Sequence, residues 1–564
     1  MTNHDKMQGT EGASKRNDRG TATRRDYLRT VGVAGAIGVL STAGAGAATA
    51  QSDDWESEAD RRIAEHRQGR LEVQVVDGNG QPIPNADVDV EMQEHDFGFG
   101  TAVGATIVTG TDSDVSQEDA EEYRSVVPEL FNTAVLGNHH KWRFFEENQD
   151  IADEATAWLL DQGLRMRGHV CIWGSVDAWS VPGDVVDAMG VDHESGNTGP
   201  DLDPAHVEQR SLDHIERIIS HYDDFEYDGT YYGSVIDQWD VVNEVVHQQG
   251  LIEAVDGENV DGVEAPILAE WYRQATEVAP DDVALDVNDY NTLEGPYQYA
   301  RDAYHRQIEF LNDSSGARLD GVGLQSHFSE DEALTPDETL STLDEYAAHG
   351  VDVRITEFDA ADENWADEAQ GEFLYQFMKT TFSHEAVTDF VIWGPWDGSH
   401  WRDDAPLFYE DWTPKPGYDA YTDLVFDQWW TSDAGTTDDS GTYATDAFLG
   451  VHEVTITAGG ESTTEQVSVT DASGTTDLVV TLGTSTNDCE DQGGVQVGDH
   501  CARDPDDDGL YEDVNGDGQT THGDVNAFFE NLDSDDIQGN ADAFDFDGNG
   551  RIGFSDVISL LRDI

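Results

Sequence analysis

VIDQWDVVNE, residues 235–244, decides how the chain folds. Its β-branched, apolar run has the composition of a buried strand, and it stops on two polar residues, Asn243 and Glu244. The same cycle of short apolar run, polar tip and longer amphipathic stretch recurs between residues 95 and 400. The other runs are FGFGTAVGA (97–105), FNTAVLGN (131–138), LRMRGHVCIWG (164–174), VALDVNDYN (283–291), VGLQSHF (322–328), VDVRITEFD (351–359) and DFVIWGPWDG (389–398). Eight strands alternating with helical segments such as EATAWLLDQG and LSTLDEYAAHG predict an α/β fold, the (β/α)8 TIM barrel. A doubly wound sheet is the alternative, but it would lack a Gly-rich phosphate turn after its first strand.

The carboxyl ends of barrel strands converge on one face, which holds the site. Here those ends carry Asn138 and Lys141, His169 and Trp173, Asn243 and Glu244, Asn288 and Tyr290, Gln325 and His327, Glu357 and Asp359, then Trp393, Asp397 and Trp401. Amide, imidazole, carboxylate and indole groups in one bowl suit a sugar, whose hydroxyls take polar partners and whose ring face takes an indole. Glu244 ends the fourth strand and Glu357 the seventh, so the barrel can set them face to face. Two carboxylates flanking one bond are the apparatus of glycoside hydrolysis, and a gap of about 5 to 5.5 Å selects the retaining route. One must hold a proton while the other is ionised, which requires unlike surroundings. Asn243 beside Glu244, and His327 with Asp359 near Glu357, can supply them. Singly, each glutamate is more often a cap or a solvated loop acid than catalytic, and Trp393 and Trp401 are more often core than sugar platform.

The motifs GNHHKW, RGHVCIWGS, WDVVNE, NDYN, GLQSHF, ITEFD, IWGPWDGSHW and LFYEDWTPKPGY stand in this order along the chain. Through all eight strands, from about residue 95 to 425, the chain resembles glycoside hydrolase family 10, the endo-β-1,4-xylanase family. The resemblance implies that Glu244 is the acid/base and Glu357 the nucleophile. It also implies sugar contacts by Asn138, Lys141, His169, Trp173, Asn243, Gln325, His327, Trp393 and Trp401; Tyr290, at its strand tip, is a further expected contact, and Asp359 is expected to support Glu357 by holding an imidazole. Gly137 stands where the family has Glu, and Gly174 and Val176 interrupt a Trp-His-Ser-Gln pattern, which puts the subsites on the non-reducing side in doubt.

Composition sets the environment. The chain has 118 Asp and Glu against 29 Lys and Arg, a formal net charge of −89, with Lys only at 6, 15, 141, 379 and 415. That excludes a nucleic-acid partner. Fourteen Trp, 18 Tyr and 21 Phe argue for a packed interior and against disorder. So much like charge repels itself in dilute buffer, whereas molar salt cuts the Debye length to about 3 Å, so the composition reads as a halophile's. RRDYLRT, VGVAGAIGVLSTAGAGA and ATA within residues 24–50 read as a twin-arginine export signal cleaved near Ala50, and predict a secreted protein free of the membrane after cleavage. A transmembrane anchor is the weaker alternative, because Gly, Ala, Ser and Thr dominate the run. Of three cysteines, Cys171 reads as a packed strand residue, and Cys489 and Cys501 could close a short loop.

RLEVQVVDGNGQPIPNADVDVE (70–91) alternates as strands do around a turn, and so does the chain from 436 to 484. Together they resemble the regulatory-like β-sandwich of carboxypeptidases, with the barrel inserted into it; two separate strand clusters are the alternative. DVNGDGQTTHGD (513–524) and DFDGNGRIGFSD (545–556) have the pattern of Ca2+ loops with oxygen ligands. The expected ligands are Asp513, Asn515, Asp517 and Asp524, then Asp545, Asp547, Asn549 and Asp556, with DPDDDG (504–509) a partial third loop. With an apolar helix such as VISLLRDI behind each, the loops resemble dockerin repeats, which implies either a cohesin-like partner or a plain calcium-stapled tail.

The expected order is a signal over 1–50, a helical segment over 51–69, sandwich over 70–94 and 430–484, barrel over 95–429, linker over 485–503 and calcium repeats over 504–564. The function expected is that of a secreted, salt-adapted endo-β-1,4-xylanase acting on xylan or a related β-1,4-glycan, with no cofactor in catalysis. The alternatives are a non-catalytic carbohydrate-binding or adhesion protein, which would have lost a glutamate, and a glycosidase for another β-glycan.

Overall fold

Short apolar strands whose every side chain must be buried are satisfied by a closed sheet wrapped in helices. The computed structural model of the chain describes residues 49–190, 202–362, 364–482, 489 and 494–563, without 499, 507, 517 and 533. The twin-arginine segment up to residue 48 and Asp517 lie outside the described residues. Eight strands, Gly98–Val103, Thr133–Leu136, Arg165–Trp173, Gln238–Asn243, Ala284–Asp289, Gly321–Leu324, Asp352–Ala360 and Val387–Ile392, pair in parallel, each with the next. The eighth pairs with the first, Asp389 opposite Gly98, and closes the barrel.

Helices return the chain between strands, and their starts are written in the sequence. Pro204, Pro266 and Pro336 occupy first-turn positions, where a missing N–H costs nothing. Thr335 and Glu338 form a reciprocal capping box at Pro336–Ala347.

The lower barrel interior is ionic. Arg167 pairs with Asp240 and, at 3.2 Å, with Asp286; Arg354 reaches Asp286 at 3.0 Å and Asp389 at 3.2 Å. Gln238 donates to Asp389 at 3.2 Å. These groups fit because the neighbouring strands carry glycine. A Cβ on Gly98 would strike Asp389, one on Gly321 would strike Arg354, and one on Gly168 would strike the indole of fully buried Trp239.

The two stretches flanking the barrel meet. Gln68–Asp77 lies between Thr442–Phe448 and Thr475–Leu482, while Asp87–His95 lies between Ser432–Thr436 and Gly450–Ala458, which also pairs with Glu461–Val469. Leu71, Val73 and Val75 of the first sheet share one apolar core with Val88, Val90, Val454 and Ile456 of the second. Arg67 joins this unit to the barrel floor, donating to the carbonyls of Phe382, His384 and Val387 at 2.6 to 2.7 Å. Before it, helix Thr49–His66 is held through Glu56 and Asp60 by Lys379.

The C-terminal unit has a separate core that includes Val497, Ala502, Val514, Phe528, Phe544 and Leu560. This corrects the expected linker boundary. Val495–Val497 pairs with His500–Ala502 and both contribute to that core, and Cys489 is disulfide-bonded to Cys501, so ordered structure begins before residue 504. Cys171 is buried and free. Among the described residues no helix is long and apolar enough to cross a membrane.

Replacing Gly168 by Ala should lower stability by about 1–3 kcal/mol, because the Trp239 ring has no unstrained position to retreat to. Urea unfolding in molar salt measures it, and an unchanged midpoint would refute the packing described.

Candidate active site

The strand ends open into a cleft of about 620 Å3. Glu244, Glu357 and all ten expected sugar contacts, Asn138, Lys141, His169, Trp173, Asn243, Tyr290, Gln325, His327, Trp393 and Trp401, line it. Asp397, at the eighth tip, instead binds Lys415 at 2.8 Å and accepts from the Ala405 amide, which fixes the loop around it.

The two glutamates are joined by amides. Gln325 Nε2 donates to Glu244 Oε1 at 3.1 Å and to Asn243 Oδ1 at 3.2 Å, and Asn288 Nδ2 donates to that same Asn243 oxygen at 2.9 Å and to Glu357 Oε1 at 2.7 Å. Trp173 Nε1 donates to Glu244 Oε2 at 2.9 Å. Lys141 lies over the Trp173 ring and donates to Asn138 Oδ1 at 2.9 Å. One continuous set of hydrogen bonds therefore fixes both carboxylates.

Their electrostatics differ. Burial, reinforced by the negative charges of Asp289 and Glu357, pushes the Glu244 carboxyl up to about 7. Burial acts the same way on Glu357, but there the hydrogen bond from His327 and the positive charges of His169, His327 and Lys141 win, and the carboxyl lies below its ordinary value. His327 spans Glu357 Oε2 at 3.3 Å and Asp359 Oδ2 at 2.9 Å; against the pull of burial, these carboxylates raise it to about 10, so it is an imidazolium. Asp359, completely buried, also accepts from Trp401 Nε1 and Arg402 Nη1, both at 2.8 Å. Lys141, pulled down by burial against the two glutamates, sits at about 8.

Sequence reasoning passed over several partners. Asp240, mid-strand, accepts from His169 Nδ1 at 2.8 Å and so orients a cleft residue from below. Asp289 accepts from the Val246 amide, the Tyr290 amide and His247 Nδ1, and so pins the turn that follows Glu244. The position of Asp289 inside NDYN was the available signal. Arg402 and His247 stand in polar loops and gave none.

A family model, Glycosyl hydrolase family 10, matches residues 91–424. The chain belongs to glycosyl hydrolase family 10. Its relatives include the anti-sigma-I factor RsgI6 of Acetivibrio thermocellus, 27% identical over 413 residues, covering 72% of this chain and 47% of that protein. Another is endo-1,4-beta-xylanase A of Butyrivibrio fibrisolvens, 28% identical over 280 residues, covering 47% of this chain and 62% of the relative. The chain thus spans about half to three-fifths of the length of these two relatives. Among solved structures, xylanase 10B from Thermotoga petrophila RKU-1 in complex with xylobiose is 22% identical, with a TM-score of 0.48, covering 59% of this chain and 95% of that one.

Two departures from the family-10 pattern have different physical content. A Cβ at Gly137 would meet nothing closer than the Val103 carbonyl at 3.9 Å, so packing does not require glycine there. A Cβ at Gly174 would strike the Gln248 carbonyl at 2.9 Å, so this glycine is what lets the turn after Glu244 approach the third strand.

A catalyst that needs Glu244 protonated and Glu357 ionised loses kcat/KM as pH rises through about 7, where Glu244 gives up its proton. The Trp173 hydrogen bond favours the carboxylate of Glu244, so Trp173→Phe should move the alkaline limb to higher pH. A limb that stays put or moves down would show that Glu244 does not set it.

Proposed function

We propose that the protein is a secreted, salt-adapted endo-β-1,4-xylanase that hydrolyses xylan with retention of configuration. The observation that carries the reading is the unlike environment of two bridged glutamates at the mouth of a family-10 barrel. Glu357, ionised beside His327, attacks the anomeric carbon while Glu244 passes its proton to the leaving sugar's oxygen. Glu244, now a carboxylate, then takes a proton from water, whose oxygen displaces Glu357 and restores the starting state. Lys141, Asn138 and the indoles of Trp173, Trp393 and Trp401 offer the donors and flat faces that a pyranose requires.

Two rivals are separable. A non-catalytic carbohydrate-binding or cell-surface adhesion protein would bind xylan without cleaving it. A hydrolase for another β-glycan would cleave cellulose or mixed-linkage glucan in preference. The retained, oppositely tuned glutamate pair favours hydrolysis.

Salt adaptation is supported by the net charge of −89 and by the lysines: all those described, Lys141, Lys379 and Lys415, are buried. Export by the twin-arginine route rests on residues 24–50.

For the tail we propose structural Ca2+. The two loops close identically: Asp524 accepts from the amides of Asn515 and Thr521, and Asp556 from those of Asp547 and Gly553. Asp545, Asp547 and Asp556 bring carboxylate oxygens within 4.8 Å of one another. Buried Asp513 has one oxygen, Oδ1, without a hydrogen-bond partner among the described residues, which suits a cation. Asn515, Asn549 and Asp517 complete the expected ligand sets, and a cohesin-like partner is the docking reading of these repeats.

Incubation with xylan in molar salt should release reducing ends. Glu244→Gln should lower the rate by about 10^2- to 10^4-fold, and Glu357→Gln should abolish it. Undiminished hydrolysis by Glu357→Gln, or cleavage of cellulose alone, would remove the mechanism or the substrate respectively. A chelator should unfold the C-terminal unit, read as loss of protease resistance there, while hydrolysis continues near its starting rate. A tail indifferent to chelator would exclude structural calcium.

A further inference from the structure

The C-terminal unit places a covalent link beside a metal loop. Cys489 and Cys501, 12 residues apart, are joined as a disulfide. The bond closes over Gly494, where a Cβ would strike the sulfurs of Cys501 and Cys489 at 2.6 and 2.7 Å. Next comes Val495–Val497, which pairs antiparallel with His500–Ala502 and sets Gln496 opposite Cys501. Val497 and Ala502, both fully buried, share the tail's core with Val514 of the first proposed calcium loop.

This hairpin forms one wall of that loop. Just past Cys501, the Arg503 amide donates to the Asp513 carbonyl at 2.9 Å, and the Asp513 amide donates back to the Arg503 carbonyl at 3.3 Å. Asp513 is the first expected ligand, buried with its Oδ1 unpartnered among the described residues. Gly516, at φ +73°, lies against the Cys501 carbonyl, which a Cβ there would strike at 2.5 Å. The strand anchored by the disulfide therefore sets both the backbone of the first ligand and the bend of the loop. The second loop, 545–556, is approached from elsewhere: the Tyr511 amide donates to the Ala543 carbonyl at 3.0 Å, just ahead of it.

We infer that the Cys489–Cys501 disulfide and Ca2+ in the first loop, 513–524, are linked, each strengthening the other, while the second loop is independent of the disulfide. The inference rests on the calcium reading above. A loop that must become ordered as its ion binds gives up affinity to that ordering. The cross-link takes freedom from residues 489–501 before the ion arrives, so the wall is already in place and less ordering opposes binding. In forming it, the two thiols pass two electrons and two protons to a small-molecule disulfide, so one S–S bond forms, one breaks and two new thiols leave. Linkage is reciprocal: the factor by which the bond tightens Ca2+ binding is the factor by which bound Ca2+ disfavours its reduction. The unit then reaches full stability only where the surroundings are oxidising and calcium is present, which suits the export proposed above.

The test is Ca2+ titration calorimetry of the full chain in molar salt, comparing the oxidised protein with Cys489→Ser/Cys501→Ser. Two backgrounds separate the loops: Asp556→Asn leaves the first, and Asp524→Asn leaves the second. The disulfide should tighten binding about ten-fold in the Asp556→Asn background and leave it unchanged in the Asp524→Asn background. A second measurement needs no substitution. Equilibrated with a dithiol redox buffer, the parent should require an about ten-fold higher ratio of reduced to oxidised dithiol for half-reduction in saturating Ca2+ than in chelator. Equal first-loop affinity with and without the disulfide, or a half-reduction point that ignores Ca2+, would overturn the linkage and leave the calcium loops standing. Equal tightening at both loops would overturn its confinement to the first. An oxidised parent that binds no Ca2+ would remove the calcium reading and the linkage with it.

Discussion

The barrel mouth depends on one inequality, that of two carboxylates in a single bowl holding opposite protonation states. Burial alone would raise both and make them alike. What separates them is His327, an imidazolium held between Glu357 and Asp359, with Arg402 and Trp401 bracing Asp359 from behind. Glu244 has no cation in that position and instead feels the charge of Asp289. The residues that tune the pair are therefore also those that fix the geometry: Asp289 pins the turn after one glutamate, and His327 bonds directly to the other.

The ionic interior beneath is the foundation of this arrangement. Arg167 and Arg354 neutralise Asp240, Asp286 and Asp389 inside the barrel, and the free oxygen of Asp240 orients His169 at the level of the site. Buried pairs of this kind gain little net stability, since each ion gives up its hydration, but losing one partner strands the others. Strand glycines are part of the design, because Gly98 and Gly321 make the room these side chains occupy.

The barrel was legible in sequence because each strand ends on a polar tip, so eight tips could be read without any knowledge of closure. The cleft followed from the same ends. The ionic layer was not legible: Arg167, Asp240, Asp286 and Arg354 interrupt apolar runs, and one strand at a time they resemble outward-facing positions. Their meaning appears only when four strands are brought together. His247 was hidden for another reason, since VVHQQG reads as a solvated loop until Gly174 is seen to admit it. The segment 495–502 reads as linker because VQVGDHCA is too short to show a strand's alternation, although Val497 and Ala502 anchor the tail's core.

The fate of the lysines has a practical side. Lys379 and Lys415 are held in ion pairs with partly or well-exposed carboxylates, and among the described lysines the one lining the cleft is Lys141. Burial lowers it to about 8, so it gives up its proton more readily than an exposed lysine would. On most proteins an amine-directed dye coats the surface indiscriminately; on this folded body it becomes a reporter of whether the sugar cleft is empty or filled.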